Sequence, residues 1–322
     1  MSSIWLTGAD GFVGGWLRRA LEEQGRTWTA HGLVPLDDCA AGTFAPLDLA
    51  QWAAEPSDDA LAHWDSLPEP EGLVHLAALS SPPACEANPE LAQAINVDGP
   101  RRMYREFLKR WPRCPIVHVS SGHVYRPAAE PLSEDQQLEP INVYGATKLE
   151  GEAMAMELRD QGHRITVVRP FNHTGPGQLP VFALPSFAMR LAALEAQGGG
   201  TLSVGRLDAV RDFLHVRDVV RVYLDLLTHA GKVDLVNLCS GSGVVIGEML
   251  DGLVKRFQGP IHVETEEARL RGAADASVLV GSNRRLHDLL GYAPSLDVDG
   301  LLDELAADAR ERVAAGENLE TA

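Results

Sequence analysis

Ile4-Trp5-Leu6-Thr7-Gly8-Ala9-Asp10-Gly11-Phe12-Val13-Gly14 decides the fold. A short apolar strand runs straight into a glycine-rich turn, and Trp16 to Gln24 beyond it reads as a helix. In that context Gly8 permits a tight turn, Gly11 lets a pyrophosphate approach the backbone, and Gly14 lets helix and strand pack closely. Amide groups at the helix start then face an anion. The order of strand, turn and helix points to a dinucleotide site rather than to a purely structural turn.

Further along, the pattern repeats. Thr27 to His31 reads as a second strand, but His31-Gly32-Leu33 offers neither the acid that suits NAD nor the arginine that suits NADP. Asp37 and Asp38 read as loop charges, so cofactor preference stays open. Asp48 follows an apolar run, where it either meets adenine or is solvated. Gly72 to Ala78 has the continuous apolar character of a strand covered on both faces, and Ala77 and Ala78 leave room at its carboxyl end. Asn96 lies between helical stretches at Pro89 to Val97 and Arg101 to Arg110, as a polar anchor or as an Asn-capped break. Pro115 to Ser121 is a strand ending in two hydroxyls, and Ser121 faces a substrate oxygen or caps a local turn. With Arg164 to Pro170 as a further strand, the units predict an α/β fold with a doubly wound parallel sheet.

After Pro170 the texture changes. Phe171 to Gln178 reads as a loop of polar side chains on rigid turns, placed where substrates sit beyond a parallel strand. Arg211 pairs with Asp212 or reaches a diphosphate, and Asp218 is expected to cap a helix through Leu227. The expected division is a dinucleotide-binding domain over 1–170 and a mainly substrate-binding lobe over 171–322. Segments near 205–240 are expected to return to the first domain.

Asn142-Val143-Tyr144-Gly145-Ala146-Thr147-Lys148 places a tyrosine and a lysine four apart on one helix face. A phenol with a reference pKa near ~10 is a poor acid or base at neutral pH, and an ammonium beside it favours the phenolate. Such a pair suits reversible proton transfer to a carbonyl or alcohol oxygen. Alone it is common on helix surfaces; its weight comes from the motifs around it.

Composition sets the outer bounds. A formal charge of −17 over 322 residues argues against nucleic acid, which needs clustered Lys and Arg, but not against small phosphorylated molecules. The chain start shows no basic region followed by an apolar stretch, and no segment approaches eighteen apolar residues, so the expectation is a cytoplasmic protein without membrane association. Cys39, Cys85, Cys114 and Cys239 show no paired metal spacing and read as buried thiols; the histidines form no metal motif.

Taken together, the glycine turn, Ser121 and Tyr144-x-x-x-Lys148 resemble the extended short-chain dehydrogenase/reductase family of the NAD-dependent epimerase/dehydratase type, over nearly the whole chain. Arg169-Pro170-Phe171-Asn172-His173-Thr174-Gly175-Pro176-Gly177-Gln178 and Val204 to Phe213 look most like the reductases of GDP-6-deoxy-4-keto-hexoses within it. The resemblance implies NADPH or NADH held along Gly8, Asp10, Gly11, Phe12 and Val13. Asp48, Leu49, Leu76, Ala77, Ala78 and Asn96 complete the implied cofactor set with Tyr144 and Lys148. It implies Ser121, Tyr144 and Lys148 as the catalytic set. A nucleotide diphosphate sugar, GDP-linked, would meet Ser80, Ser121, Gly122, His123, Asn172, His173 and Gln178, with Arg211 and Arg271 on its diphosphate. A homodimer through the helices of Arg101 to Arg110 and Tyr144 to Arg159 is also implied.

The related dehydratases carry an acidic residue just after the catalytic hydroxyl. Here Gly122 has no side chain and His123 stands in the glutamate's place, which leaves simple hydride transfer as the better fit. Two departures from the family pattern stand out: Arg126 where glycine is usual, and Arg271-Gly272-Ala273-Ala274-Asp275 where Arg-Pro is usual. A 4-epimerase with tightly bound NAD is the nearest rival, ahead of a dehydratase-like enzyme, a ketoreductase of substrates without a nucleotide, and a non-catalytic NAD(P)-binding protein.

Overall fold

Seven strands make the sheet that positions everything else: β1 (Ser3–Thr7), β2 (Trp28–Gly32), β3 (Phe44–Pro46), β4 (Pro70–His75), β5 (Ile116–Val119), β6 (Ile165–Pro170) and β7 (Leu235–Leu238). All run parallel, in the order β7-β6-β5-β4-β1-β2-β3. The structure is a computed structural model and describes residues 2–36, 44–54, 58–266 and 278–317. From β1 the chain winds outward to β3 and then crosses back to β4. The crevice beyond the carboxyl ends of β1 and β4 is therefore the topological switch point.

Strand alternation feeds two cores. Ile4 and Leu6 face one side, with Leu17 and Leu21 of the helix Phe12–Glu23 and with Val219 to Leu227 of the helix Val216–His229. Trp5 faces the other, among Trp64, Phe107 and Trp111, with Met154 and Leu158 of the helix Val143–Asp160 in the same core. A third core lies among the helices Ala183–Ala196, Ile246–Val254 and Val298–Ala314. The glycines of the first turn are fixed by close approach. A Cβ on Gly14 would lie 2.3 Å from the Gly8 carbonyl oxygen, and one on Gly8, whose φ is +64°, 2.8 Å from the Ala77 nitrogen.

Three local expectations differ from the structure. Pro89 to Arg110 is one helical run, with a wide π-type turn over Ala94–Asp98 instead of a break capped by Asn96. Pro100 has no N–H for the preceding turn, and Gly99 lies so close to Leu49 that a Cβ would meet its carbonyl at 2.2 Å. The helix Val216–His229 is capped by the His215 ring, which accepts from the Arg217 N–H at 3.0 Å; Asp218 sits in the first turn. Asn172–Thr174 is not loop but a short strand, paired in parallel with Val210–His215.

Among the described residues no helix is long and apolar enough to cross a membrane. Cys85, Cys114 and Cys239 are buried free thiols; Cys39, Asp37 and Asp38 lie outside the described residues.

The sheet buries three neutral histidines. Thr7 Oγ1 pairs with His75 Nδ1 at 2.8 Å, and Tyr104 Oη with His118 Nδ1 at 2.9 Å. His31 packs on Trp5, and neither ring nitrogen has a hydrogen-bond partner among the described residues. Burial holds His31 and His75 down to about 3 and His118 well below the usual histidine range. Unfolded, each binds a proton near pH 6.5. The unfolded chain thus holds more protons than the fold below that pH, and stability falls as pH drops. Thermal unfolding midpoints should already decline between about pH 6.5 and about 5, above the carboxylate range. His31→Phe, which keeps the packing on Trp5, should flatten that slope; an unchanged slope would show that this histidine does not contribute.

Candidate active site

A cleft of about 620 Å³ opens at the switch point. Its floor is the first turn, where Gly8, Gly11 and Gly14 meet the chain after β4. Thr7 Oγ1 accepts from the Leu76 and Ala77 N–H groups at 3.1 and 3.2 Å, which ties that chain to β1. Of the residues expected to hold a cofactor, Asp10, Phe12 and Val13 line the floor, and Leu76, Ala77 and Ala78 the adjoining wall. Asp48 and Leu49 lie at one end, where Asp48 Oδ1 caps its helix by accepting from Ala50 N–H at 2.9 Å. This glycine-lined groove at a helix start fits a dinucleotide.

Tyr144, Lys148, Ser121 and His123 line the opposite end. The helix that carries the first two starts at Val143 because Asn142 caps it, its Oδ1 accepting from Gly145 N–H at 2.7 Å. Ser121 lines the cleft with Tyr144, and its Oγ accepts from His123 N–H at 3.2 Å, as expected of a residue that caps a local turn. Lys148 Nζ donates to the Val119 carbonyl at 2.6 Å. The expected lowering of the phenol by the lysine is not what this geometry produces. Desolvation pushes Tyr144 up to about 12, with the Ser121 hydrogen bond acting against it. Lys148 is pushed down to about 8 by burial, with Glu152 pulling it back up.

Behind them lies a charged network that the sequence reading did not single out. Arg169, at the end of β6, clasps Glu152 through Nε–Oε1 at 2.9 Å and Nη2–Oε2 at 2.7 Å. Ser120 Oγ donates to Glu152, and Arg169 Nη1 donates to Tyr125 Oη at 2.6 Å. Tyr125 Oη donates onward to Asn237 Oδ1 at 2.8 Å. Two signals were available: an arginine inside an apolar strand needs a buried partner, and Glu152 follows Lys148 by four residues on the same helix face.

On the substrate side, Ser80, Asn172, His173 and Gln178 line the cleft. Asn172 Oδ1 and Gln178 Oε1 are buried acceptors without a partner among the described residues. His173 Nδ1 lies 3.1 Å from the Phe171 carbonyl. The His123 ring stands edge-on to Tyr144, with centroids 5.6 Å apart, and burial, aided by Arg211, holds its imidazole down to about 4.

Three expected residues are placed elsewhere. Asn96 is buried behind the cleft, where its side chain pairs with both Leu79 backbone groups and with Thr147 Oγ1. It anchors the loop after β4 rather than a ligand. Gly122 faces the Phe171 ring, 3.2 Å from where its Cβ would be. Arg211 does not line the cleft, though its charge reaches His123, and Asp212 is engaged by Ser240, Gly241 and Gly281. Arg269 and Arg271 lie outside the described residues.

The sequence model described as the NAD dependent epimerase/dehydratase family matches residues 4–239. GDP-6-deoxy-D-mannose reductase of Pseudomonas aeruginosa is 34% identical over 237 residues, 72% of this chain and 77% of that protein. UDP-glucose 4-epimerase of Mycolicibacterium smegmatis is 30% identical over 305 residues, 90% of this chain and 93% of that one. The solved structure of RMD from Pseudomonas aeruginosa complexed with NADPH superposes with a TM-score of 0.82 at 30% identity, covering 97% of this chain and 100% of that chain.

Since the Lys148 ammonium is half lost near pH 8, affinity for an anionic reduced dinucleotide should fall as pH rises through about 8. Fluorescence titration of the cofactor should show that limb in the wild type. Lys148→Met should bind more weakly and without the limb; a limb that survives the substitution would assign it to another group.

Proposed function

The chain belongs to the NAD dependent epimerase/dehydratase family, the extended short-chain dehydrogenases/reductases, and we propose that it reduces the 4-keto group of a GDP-linked 6-deoxy-4-keto-hexose with NADPH or NADH. One observation carries this reading. The glycine floor, the Ser121-Tyr144-Lys148 set and two unpartnered buried acceptors share a single cleft. Hydroxyl-rich sugars supply the donors that Asn172 and Gln178 lack. The likeness to GDP-6-deoxy-D-mannose reductase supports the GDP-deoxyhexose assignment.

The bound reduced nicotinamide supplies the hydride; the side chains manage the oxygen. Tyr144, which burial keeps protonated well above neutral pH, gives its proton to the carbonyl oxygen as it becomes an alcohol. Ser121, which lines the same end of the cleft, supplies a second contact to the same oxygen. Donors fixed before the reaction stabilise the developing negative charge without reorganising. Lys148 presents its ammonium to the same cleft, fixed by Val119 and favoured by Glu152. Arg211, whose charge is felt at His123, is assigned to the diphosphate.

A 4-epimerase is the second reading, favoured by the likeness to UDP-glucose 4-epimerase. We extend the proposal to a cytoplasmic homodimer that pairs the helices Gly99–Arg110 and Val143–Asp160, and light scattering that gives a monomer's mass would remove that part.

Purified protein should consume added reduced cofactor, followed by its absorbance, when given freshly made GDP-4-keto-6-deoxy-mannose, and form a GDP-6-deoxyhexose. Stoichiometric NAD that copurifies, with turnover needing none added, would transfer the assignment to the epimerase. Tyr144→Phe should lower turnover by roughly 10²–10⁴-fold with cofactor affinity little changed. Retained turnover would remove Tyr144 from the proton-donor role.

A further inference from the structure

We propose that Asp10 makes the cleft selective for the nicotinamide dinucleotide without a 2′-phosphate, NADH over NADPH. The inference rests on reading the cleft as the cofactor site and goes beyond it, because β2 itself leaves the choice open. In this fold the residue at the end of β2, about 20 positions past the glycine turn, decides between the two cofactors. An acid there bonds the free ribose 2′-hydroxyl, whereas an arginine nearby takes the 2′-phosphate. Here that residue is Gly32, which has no side chain to offer.

The structure fills the space from another direction. A Cβ built on Gly32 would lie 2.6 Å from Asp10 Oδ1, 3.0 Å from its Cγ and 3.3 Å from its Oδ2. The Asp10 carboxylate, carried by the glycine turn, therefore occupies the volume that an acidic side chain on Gly32 would enter. Asp10 is exposed and lines the cleft, so the carboxylate is accessible to a ligand. Gly32 is also the condition for this arrangement, since any side chain there would displace the carboxylate.

The surroundings favour the same choice. Leu33, the next residue, also lines the cleft and is 67% exposed, and Val34 is 61% exposed; neither offers a charge. Among the described residues lining the cleft there is one lysine, Lys148, at the catalytic end, and no arginine. Arg18 approaches from the helix side, where its Nε donates to the Ala9 carbonyl at 3.1 Å and its guanidinium lies over the Trp28 ring at 5.3 Å. A 2′-phosphate would thus meet a carboxylate, and a free 2′-hydroxyl would donate to it. This chain would then differ from its relative solved with NADPH.

Equilibrium binding of NADH and NADPH, by calorimetry or cofactor fluorescence, tests this without any substrate. The wild type should bind NADH at least about tenfold more tightly, since like charges placed face to face cost more than that ratio. Asp10→Ser should weaken NADH and strengthen NADPH, and Leu33→Arg should strengthen NADPH alone. Equal or tighter binding of NADPH by the wild type, lost in Arg18→Ala, would overturn the inference and give Arg18 the 2′-phosphate. Binding of neither dinucleotide would overturn the cofactor-site reading along with it.

Discussion

The buried pair between Glu152 and Arg169 is the constraint on which the Tyr144 and Lys148 end of the cleft depends. Both side chains are about 4% exposed, and removing two charges from water costs several kcal/mol per ion. The fork between them, the Ser120 hydroxyl and the Tyr125 phenol offset that cost only when all are in register. Ser120 precedes Ser121 at the end of β5, Glu152 lies one turn beyond Lys148, and Arg169 ends β6. One network thus fixes two strands and a helix relative to each other. A helix turned by one residue would leave a buried charge unpaired, at roughly 3–5 kcal/mol. Ser121, Tyr144 and Lys148 are held in place by this network before any ligand contributes.

Much of the fold was legible because its signals are local. The glycine turn, the short apolar strand Ile4-Trp5-Leu6 and the apolar run at Gly72 to Leu76 each show in the sequence without help from distant chain. What escaped depends on contacts far apart in sequence. Asn96 stands in a wide helical turn because Pro100 lacks an N–H and Gly99 packs on Leu49, and only the second shows in three dimensions. Glu152 gains its meaning only from Arg169, which comes from a separate strand to clasp it. Arg211 and Asp212 look like a pair in the sequence, yet strand neighbours point to opposite faces, and Asp212 turns inward to hold Ser240, Gly241 and Gly281.

The electrostatics of the cleft follow from the same economy. A chain with a formal charge of −17 must hold an anionic cofactor, and the described lining offers a single lysine. Backbone amides at a helix start can supply what side-chain charge does not, because their partial charges are fixed and cost no side-chain ordering. The close approach of Gly8, Gly11 and Gly14 is therefore electrostatic as much as steric. It also explains how an exposed carboxylate such as Asp10 can sit in an anion-binding turn: the phosphates need the backbone, not its side chain.

His123 and the pair Asn172 and Gln178 bear on which reaction such a cleft can run. In the related dehydratases the position of His123 carries an acid that acts on the sugar beyond C4. Here an imidazole stands edge-on to Tyr144, kept neutral by burial and Arg211, and Gly122 beside it is closed off by Phe171. A neutral imidazole packed against the tyrosine is not the acid that elimination uses, so the proposed hydride transfer fits this position better. Epimerisation makes a different demand, since the keto sugar must turn over between two hydride transfers. A site that must release and rebind its sugar gains little from acceptors fixed on one side. Among the described residues Asn172 Oδ1 and Gln178 Oε1 are buried without a donor and share the cleft with Tyr144, so a sugar bound there as proposed would satisfy them in one orientation and abandon them on turning. That asymmetry favours a single hydride delivered to one face.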